Sequence, residues 1–158
     1  VPFISLLVAA KNEEAVIANL VQCLCQINYD PSRLELWIID DNSSDRTSVI
    51  LERLQQKYQQ LKVLKRGTDS KGGKSGALNQ VLPLTKGEII GVFDADAQVS
   101  ENVLTALLPL FQNPNMGAVQ LRKAIANADD NFWTKGQSAE MALDIFFQDR
   151  RNHFGKNI

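Results

Sequence analysis

Histidine is almost absent from this chain. The only one in 158 residues is His153, near the C-terminus, and with no second imidazole beside it a zinc site has almost no support. Cysteine is nearly as scarce. Cys23 and Cys25 lie in a helical pattern, where two positions apart means different directions, which argues against a disulfide or a shared metal. Buried, inert thiols are the expectation, and they suit a reducing compartment. No apolar run reaches about 18 residues, so no membrane-spanning helix is written here, and no signal-peptide pattern is visible. An excess of one charge is also missing. Lys and Arg number 17 against 18 Asp and Glu, a net charge of −1, which gives no support for nucleic acid as a partner.

What is present is enough for a core. Hydrophobic residues make up 44% and charged residues 22% of the chain, the balance of an ordinary soluble globular protein, and the length is about one domain's worth. The chain opens without methionine on "VPFISLLVAA" and closes on "HFGKNI"; the expectation is a piece of a longer protein.

Residues 3–10 form an apolar run of strand length, and 15–27 carry a helical stripe of Val16, Ile17, Leu20, Val21, Leu24 and Ile27. "LELWIID" (34–40) reads as a second strand. Ser43, Ser44 and Asp45 can cap the next helix, with Ile50, Leu54 and Tyr58 on one face. A short third strand is expected at 61–66, a loop at 67–75, and a short helix near 75–82. A buried strand at 88–93, a helix near 100–111 with Ser100 as a cap, an extended segment near 116–126 and a long helix at about 131–151 complete the reading. Strands alternating with helices imply right-handed βαβ units and a mostly parallel α/β sheet. Ligands of such sheets bind beyond the carboxyl ends of the strands, and "KNEE", "DDNSSD" and "DADA" each follow a strand.

Four stretches carry candidate chemistry. In "FDADA", Asp94 and Asp96 follow the apolar run 89–93; at i and i+2 of an extended chain they point to one side and can share a partner. The sequence near them offers no counter-ion, and carboxylates without His or thiolate favour Mg²⁺ or Mn²⁺, although a capping turn would also use aspartates. In "IIDDNSSD", Asp40 is expected to satisfy loop backbone and Asp45 the helix start. Asp41 is left to accept from a ribose hydroxyl or a base N–H, or simply to cap. "RGTDSKGGKSGALN" can bring backbone N–H groups and a cation to phosphate. It nearly matches a P-loop, but the spacing from Gly67 to Gly73 is one residue too long and the stretch follows the third strand, so an NTPase is rejected. "NFWTKGQSAEMALDIFFQDRRNHFG" has apolar residues on more than one side, for packing against further domain parts or for contact with a membrane or lipid acceptor.

Taken in order, "AAKNEE", "DDNSSD", "GGKSGALN", "FDADA" and "GAVQ" resemble the GT-A glycosyltransferases of family 2. "KSGALN" and "DAD…VQ" look most like the branch holding cellulose synthases, hyaluronan synthases and glycolipid glucosyltransferases. The match spans about residues 3–123. The resemblance implies the GT-A fold, with residues 1–158 as the nucleotide-sugar-binding part, a UDP-sugar donor (UDP-glucose by default), a divalent metal, and transfer with inversion. By motif match, Ala9, Lys11 and Glu13 would border the uridine, Asp41 would hold the uracil or ribose, and Lys74 would approach the diphosphate. Asp94 would lie by the ribose and diphosphate, and Asp96 would bind the metal.

The family's catalytic base comes from a later "ED" or "TED" motif, and a "QxxRW" motif follows it. Neither occurs here, so both are expected beyond Ile158, and residues 1–158 alone are expected not to transfer sugar. Glu140, Asp144 and Asp149 read as a solvated helix face. The resemblance implies a parent at the cytoplasmic face of a membrane and an acceptor that is a membrane lipid, diacylglycerol-like or sterol-like, or a growing polysaccharide. The extra aromatics of the last stretch favour a lipid. Two other readings compete. A haloacid-dehalogenase-type phosphatase also uses D-x-D after a strand, but normally on the first strand. A non-catalytic nucleotide-binding module would lack the downstream base altogether.

Overall fold

The run Ile4–Ala10 is apolar at nearly every position, too continuous for a strand with one wet face. It forms β1, flanked on both sides in the sheet. The computed structural model describes residues 1–113 and 115–121. After β1 come α1 (Ile17–Cys25), β2 (Leu34–Asp40), α2 (Thr47–Lys57), β3 (Leu61–Lys65), α3 (Gly73–Val81), β4 (Ile89–Phe93) and α4 (Val103–Leu107). The strands are all parallel and lie in the order β3-β2-β1-β4. This is the expected parallel α/β sheet. The chain steps outward from β1 to β3 and then crosses back to lay β4 on the other side of β1. The direction of winding therefore reverses between β1 and β4, the place where open α/β sheets leave a crevice for ligands.

Alternation along the strands sorts the core into two layers. Ile4, Leu6, Val8 and Ala10 of β1 join Leu36 and Ile38 of β2 beneath α1, with Leu51 of α2 and Leu104 of α4 in the same cluster. The other face carries Leu7 and Ile39, covered by Ala77 and Val81 of α3. The α1 stripe is buried through Ile17, Leu20, Val21 and Leu24, as its spacing requires. Cys23 and Cys25 are free thiols, and burial pushes the Cys25 thiol up to about 12, so it stays protonated and inert.

Several boundaries differ from the sequence reading. The strand at 89–93 is not buried on both faces. Val92 is 52% exposed and Ile90 37%, because β4 is an outer strand of the described sheet. The helix expected near 100–111 shrinks to α4, and the backbone tightens into a 3₁₀ turn at Leu108–Gln112. Pro109 lacks the N–H that an α-ladder would need there. α3 begins earlier than expected, at Gly73. Ser43 and Ser44 do not cap α2, because both are engaged with Asn12. Asp45 alone serves the helix start, accepting from the Thr47 N–H at 2.9 Å. Residues 115–121 form neither helix nor strand. The remainder of the extended segment, the helix at 131–151, Glu140, Asp144, Asp149 and His153 lie outside the described residues.

One polar cluster interrupts the second core layer. Ser5 and Glu35 face each other across β1 and β2, and both are buried. The Glu35 carboxylate accepts from Ser5 Oγ at 2.6 Å, Lys62 Nζ at 2.6 Å and the Lys86 N–H at 2.7 Å. The Gly87 N–H then donates to Ser5 Oγ at 2.8 Å. The cluster fastens the segment leading into β4 onto three other strands, and so holds β4 beside β1. Burial pushes the Glu35 carboxyl up, but hydrogen bonds from Lys62, Ser5 and the Lys86 amide more than offset this and hold it below the usual glutamate value. A carboxylate depressed in the folded state adds stability that is present above its unfolded value and lost as pH falls through the folded one. Glu35→Gln should therefore flatten the fall in stability below about pH 4.3 relative to wild type. Glu35→Ala, which leaves the Ser5 hydroxyl and the Lys86 amide without their acceptor, should cost about 2 kcal/mol in urea unfolding at pH 7. A loss under about 1 kcal/mol, the level of a surface pair, would show that the cluster does not hold the sheet edge.

Candidate functional site

Parallel strands deliver their following loops to one edge, and the polar clusters gather there. Between β1 and β2 these loops are stitched by side chain to backbone bonds. The Asn12 N–H donates to Ser43 Oγ at 3.0 Å, and the Ser44 N–H donates back to Asn12 Oδ1 at 2.8 Å. The Glu13 N–H donates to Thr47 Oγ1 at 2.9 Å, and the Glu14 N–H to Asp45 Oδ2 at 3.1 Å. The Arg46 N–H donates to Glu14 Oε2 at 3.0 Å. Asn12 and Asn42 both take positive φ, 56° and 58°, a region asparagine tolerates better than other side-chain-bearing residues. Burial pushes the Asp45 carboxyl up, but hydrogen bonds from Thr47 and the Glu14 amide bring it below the usual aspartate value. Asp40 satisfies loop backbone as expected, accepting from the Ser43 N–H at 3.0 Å and from the Ser48 hydroxyl.

The seven candidate residues occupy this edge as follows. Ala9 is half-buried near the end of β1, and Lys11 is exposed just beyond it. Glu13 is half-buried and lends its carbonyl to the Val16 and Ile17 N–H groups that open α1. Asp41 extends the strand pairing by donating its N–H to the Ala10 carbonyl at 2.8 Å. Its carboxylate is not spare, which corrects the sequence reading. Asp41 Oδ1 lies 2.7 Å from Arg66 Nη1. Arg66 is an arginine that sequence reasoning passed over. The signal available was an arginine directly after the third strand, on an edge where acids follow the other three.

Lys74 opens α3 and pairs with Asp94 at the end of β4. This joins two of the candidates directly and supplies the counter-ion that the local sequence did not reveal. Asp96 is exposed. The Ala97 N–H donates to the Asp94 carbonyl at 3.1 Å, so 94–97 turn back rather than run extended. The i, i+2 alternation therefore does not apply to Asp94 and Asp96. Among the described residues no group of three His, Cys, Asp or Glu side chains could hold an ion by itself. Asp94 and Asp96 are a two-carboxylate set at a turn. That suits Mg²⁺ or Mn²⁺, which keep water and bind substrate phosphates, and does not suit zinc.

The approach to Lys74 is built on glycine. Gly72 and Gly73 take φ of 85° and 50°, and the Gly76 N–H returns to the Gly72 carbonyl at 2.9 Å. A cleft of about 410 Å³ at the opposite edge, lined among others by Phe3, Gln60 and Lys86, offers Glu35 only with its oxygens already taken.

The fold is that of the GT-A glycosyltransferases, an identification carried by solved structures. One is the mannosyltransferase PcManGT from Pyrobaculum calidifontis in complex with GDP-Man and Mn²⁺. It superimposes with a TM-score of 0.72 at 26% identity, over 78% of this chain and 36% of that one. TarS 1-349 from S. aureus in complex with UDP-GlcNAc does so with a TM-score of 0.61 at 27% identity, over 69% of this chain and 31% of that one. The chain belongs to glycosyl transferase family 2, whose family model matches residues 5–158. Among curated relatives, the beta-monoglucosyldiacylglycerol synthase of Trichormus variabilis is 64% identical over 98% of this chain and 33% of its own length. That of Synechocystis sp. is 59% identical over 95% and 31%. The chain thus spans about a third of the length of these relatives.

The turn before α3 yields one stability test. A Cβ at Gly76 would stand 2.3 Å from the Lys71 carbonyl oxygen and 3.2 Å from Arg66 Nη2. The first contact is with backbone, so the turn itself must move. Gly76→Ala should cost about 1–3 kcal/mol, the usual range for overpacking, read as a lowered melting temperature. An unchanged melting temperature would show that the turn yields freely.

Proposed function

We propose that this chain is the donor-binding part of an inverting glucosyltransferase that moves glucose from UDP-glucose to the hydroxyl of a diacylglycerol-type membrane lipid. The observation that carries the donor site is the Lys74–Asp94 pair, set where the winding of the sheet reverses. The lipid acceptor, and a parent enzyme working at the cytoplasmic face of a membrane, are favoured by the 64% identity to a beta-monoglucosyldiacylglycerol synthase. A growing polysaccharide is the weaker alternative. No helix among the described residues is long and apolar enough to cross a membrane; in this reading the membrane contact belongs to the remainder of the parent.

In this reading Ala9, Lys11 and Glu13 border the uridine, and Asp41 accepts from the uracil or ribose. The Glu13 carboxylate has no partner among the described residues, which leaves it available. Asp94 and Asp96 would hold Mg²⁺ or Mn²⁺, which when bound supplies positive charge to the diphosphate. Lys74 is the residue of this chain that meets the leaving group. As the acceptor oxygen bonds to the anomeric carbon, the bond from that carbon to the diphosphate oxygen breaks, and negative charge gathers on UDP. An ammonium aimed at that charge lowers the barrier. The Lys74–Asp94 pair is half-exposed, with side chains 51% and 31% accessible, so little is lost when a phosphate takes the lysine. Attack from the face opposite UDP inverts the anomeric centre. The acceptor proton goes to a carboxylate base that none of residues 1–158 is proposed to supply, and donor binding without sugar transfer is the property proposed for residues 1–158.

Calorimetry with UDP and Mn²⁺ tests this. Lys74→Ala should weaken UDP binding by about tenfold to a hundredfold, the worth of a charge-assisted hydrogen bond. Asp41→Ala should also weaken it. Mn²⁺ should raise the melting temperature of the wild type in the presence of UDP by mass action, and Asp96→Asn should abolish that rise. UDP affinity that is unmoved by both Lys74→Ala and Asp41→Ala would place the nucleotide elsewhere, and an undiminished Mn²⁺ shift in Asp96→Asn would place the ion elsewhere.

A further inference from the structure

A buried arginine is costly unless its charge is matched and its donors are used. Arg66 meets both conditions. Its side chain is 3% exposed, and its own N–H extends the sheet pairing to the Asp40 carbonyl at 2.9 Å. From the guanidinium, Nη1 donates to Asp41 Oδ1 at 2.7 Å and to the Gly73 carbonyl at 3.1 Å. Nη2 donates to the Lys71 carbonyl at 2.6 Å, and Nε to Gln80 Oε1 at 3.2 Å. One planar group thus ties together the end of β2, the glycine turn, and the last turn of α3.

None of these acceptors is interchangeable with water, because the group is sealed from it. The backbone of Gly76 closes one side, where even a methyl would come within 3.2 Å of Nη2. Sealed in this way, the guanidinium cannot touch a ligand. It can only decide where other groups stand. Asp41 has Oδ1 committed, while its side chain remains 17% exposed, so it offers its second oxygen in a fixed direction. The turn at Gly72 and Gly73, built from the residue type with the most freedom to lose, has its Lys71 and Gly73 carbonyls held by the same fork, immediately before Lys74.

We infer that Arg66 is a positioning residue that couples the Asp41 carboxylate to the Lys71–Gly73 turn presenting Lys74, so that the nucleoside side and the diphosphate side of the donor site move as one unit. The inference rests on the donor-site reading above. Lysine cannot replace the fork, because it supplies a point charge in place of a planar set of donors.

The experiment compares wild type with Arg66→Lys. Without ligand, hydrogen exchange of the Gly76 amide, which closes the glycine turn on the Gly72 carbonyl at 2.9 Å, should quicken by about tenfold or more in the variant, while β1 and β2 keep their protection. With Mn²⁺, binding of inorganic pyrophosphate should weaken by about tenfold although no group facing it has changed, a coupling of ordinary size. The contribution of Lys74 should shrink as well, so that Lys74→Ala costs less than about threefold in UDP affinity on the Arg66→Lys background. A merely structural arginine would leave the full Lys74 contribution in place, and that result overturns the inference. Where Arg66→Lys does not fold, Asp41→Leu, which is close in shape and cannot accept from Arg66, asks the same question, and unchanged exchange at the Gly76 amide overturns the coupling there too. The exchange measurement needs no nucleotide. Failure of the wild type to bind UDP would sink the donor-site reading, while the clasp would still be judged by exchange.

Discussion

Parallel strands all end at the same edge, and the rest of this molecule follows from that constraint. β1, β2, β3 and β4 run in one direction, so the loops that leave them are forced into company although they are distant in sequence. Acidic residues that would be scattered on an antiparallel sheet meet here. The return of the chain from β3 to the far side of β1 then decides which loops are neighbours. It places the exit of β4 next to that of β1, and the helix that makes the crossing, α3, begins with a lysine able to reach β4.

Bringing loops together does not order them. That work is done by short polar side chains acting on backbone. Asn12 and Ser43 serve each other's loops, Thr47 and Asp45 receive the amides of Glu13 and Glu14, and Arg66 gathers carbonyls from the glycine turn. Each bond is worth on the order of 1 kcal/mol. Several acting on the same two loops hold a geometry that none could hold alone, and rigidity of that kind lets a site recognise a ligand without first paying to order itself.

The sheet was legible from the sequence because its signals are local. The run of Ile4–Ala10, apolar except at Ser5, reads as a strand, the spacing of Ile17, Leu20, Val21 and Leu24 reads as a one-sided helix, and the acid clusters mark the strand exits. The failures share the opposite character. Asp41 looked spare because its partner stands 25 residues away, and Asp94 looked unaccompanied because Lys74 stands 20 residues away. Periodicity carries no information about such pairs. The exposure of Val92 was hidden for a related reason: a strand's own residues do not say how many strands lie beyond it. The capping of α2 was misread because Ser43 and Ser44 are good caps in general, and here a competing acceptor and donor on Asn12 claimed them.

The pairing of Lys74 with Asp94 also bears on which ions can be mistaken for the proper ligand. In the proposed donor site, an anion that draws Lys74 off Asp94, or a cation that draws Asp94 off Lys74, gives up one attraction to make another. A ligand bearing both charges meets both groups at once. The difference is small, because the pair is half-exposed and an attraction of that kind is worth about 0–1 kcal/mol, so it would tilt the edge of the sheet toward doubly charged ligands without barring singly charged ones.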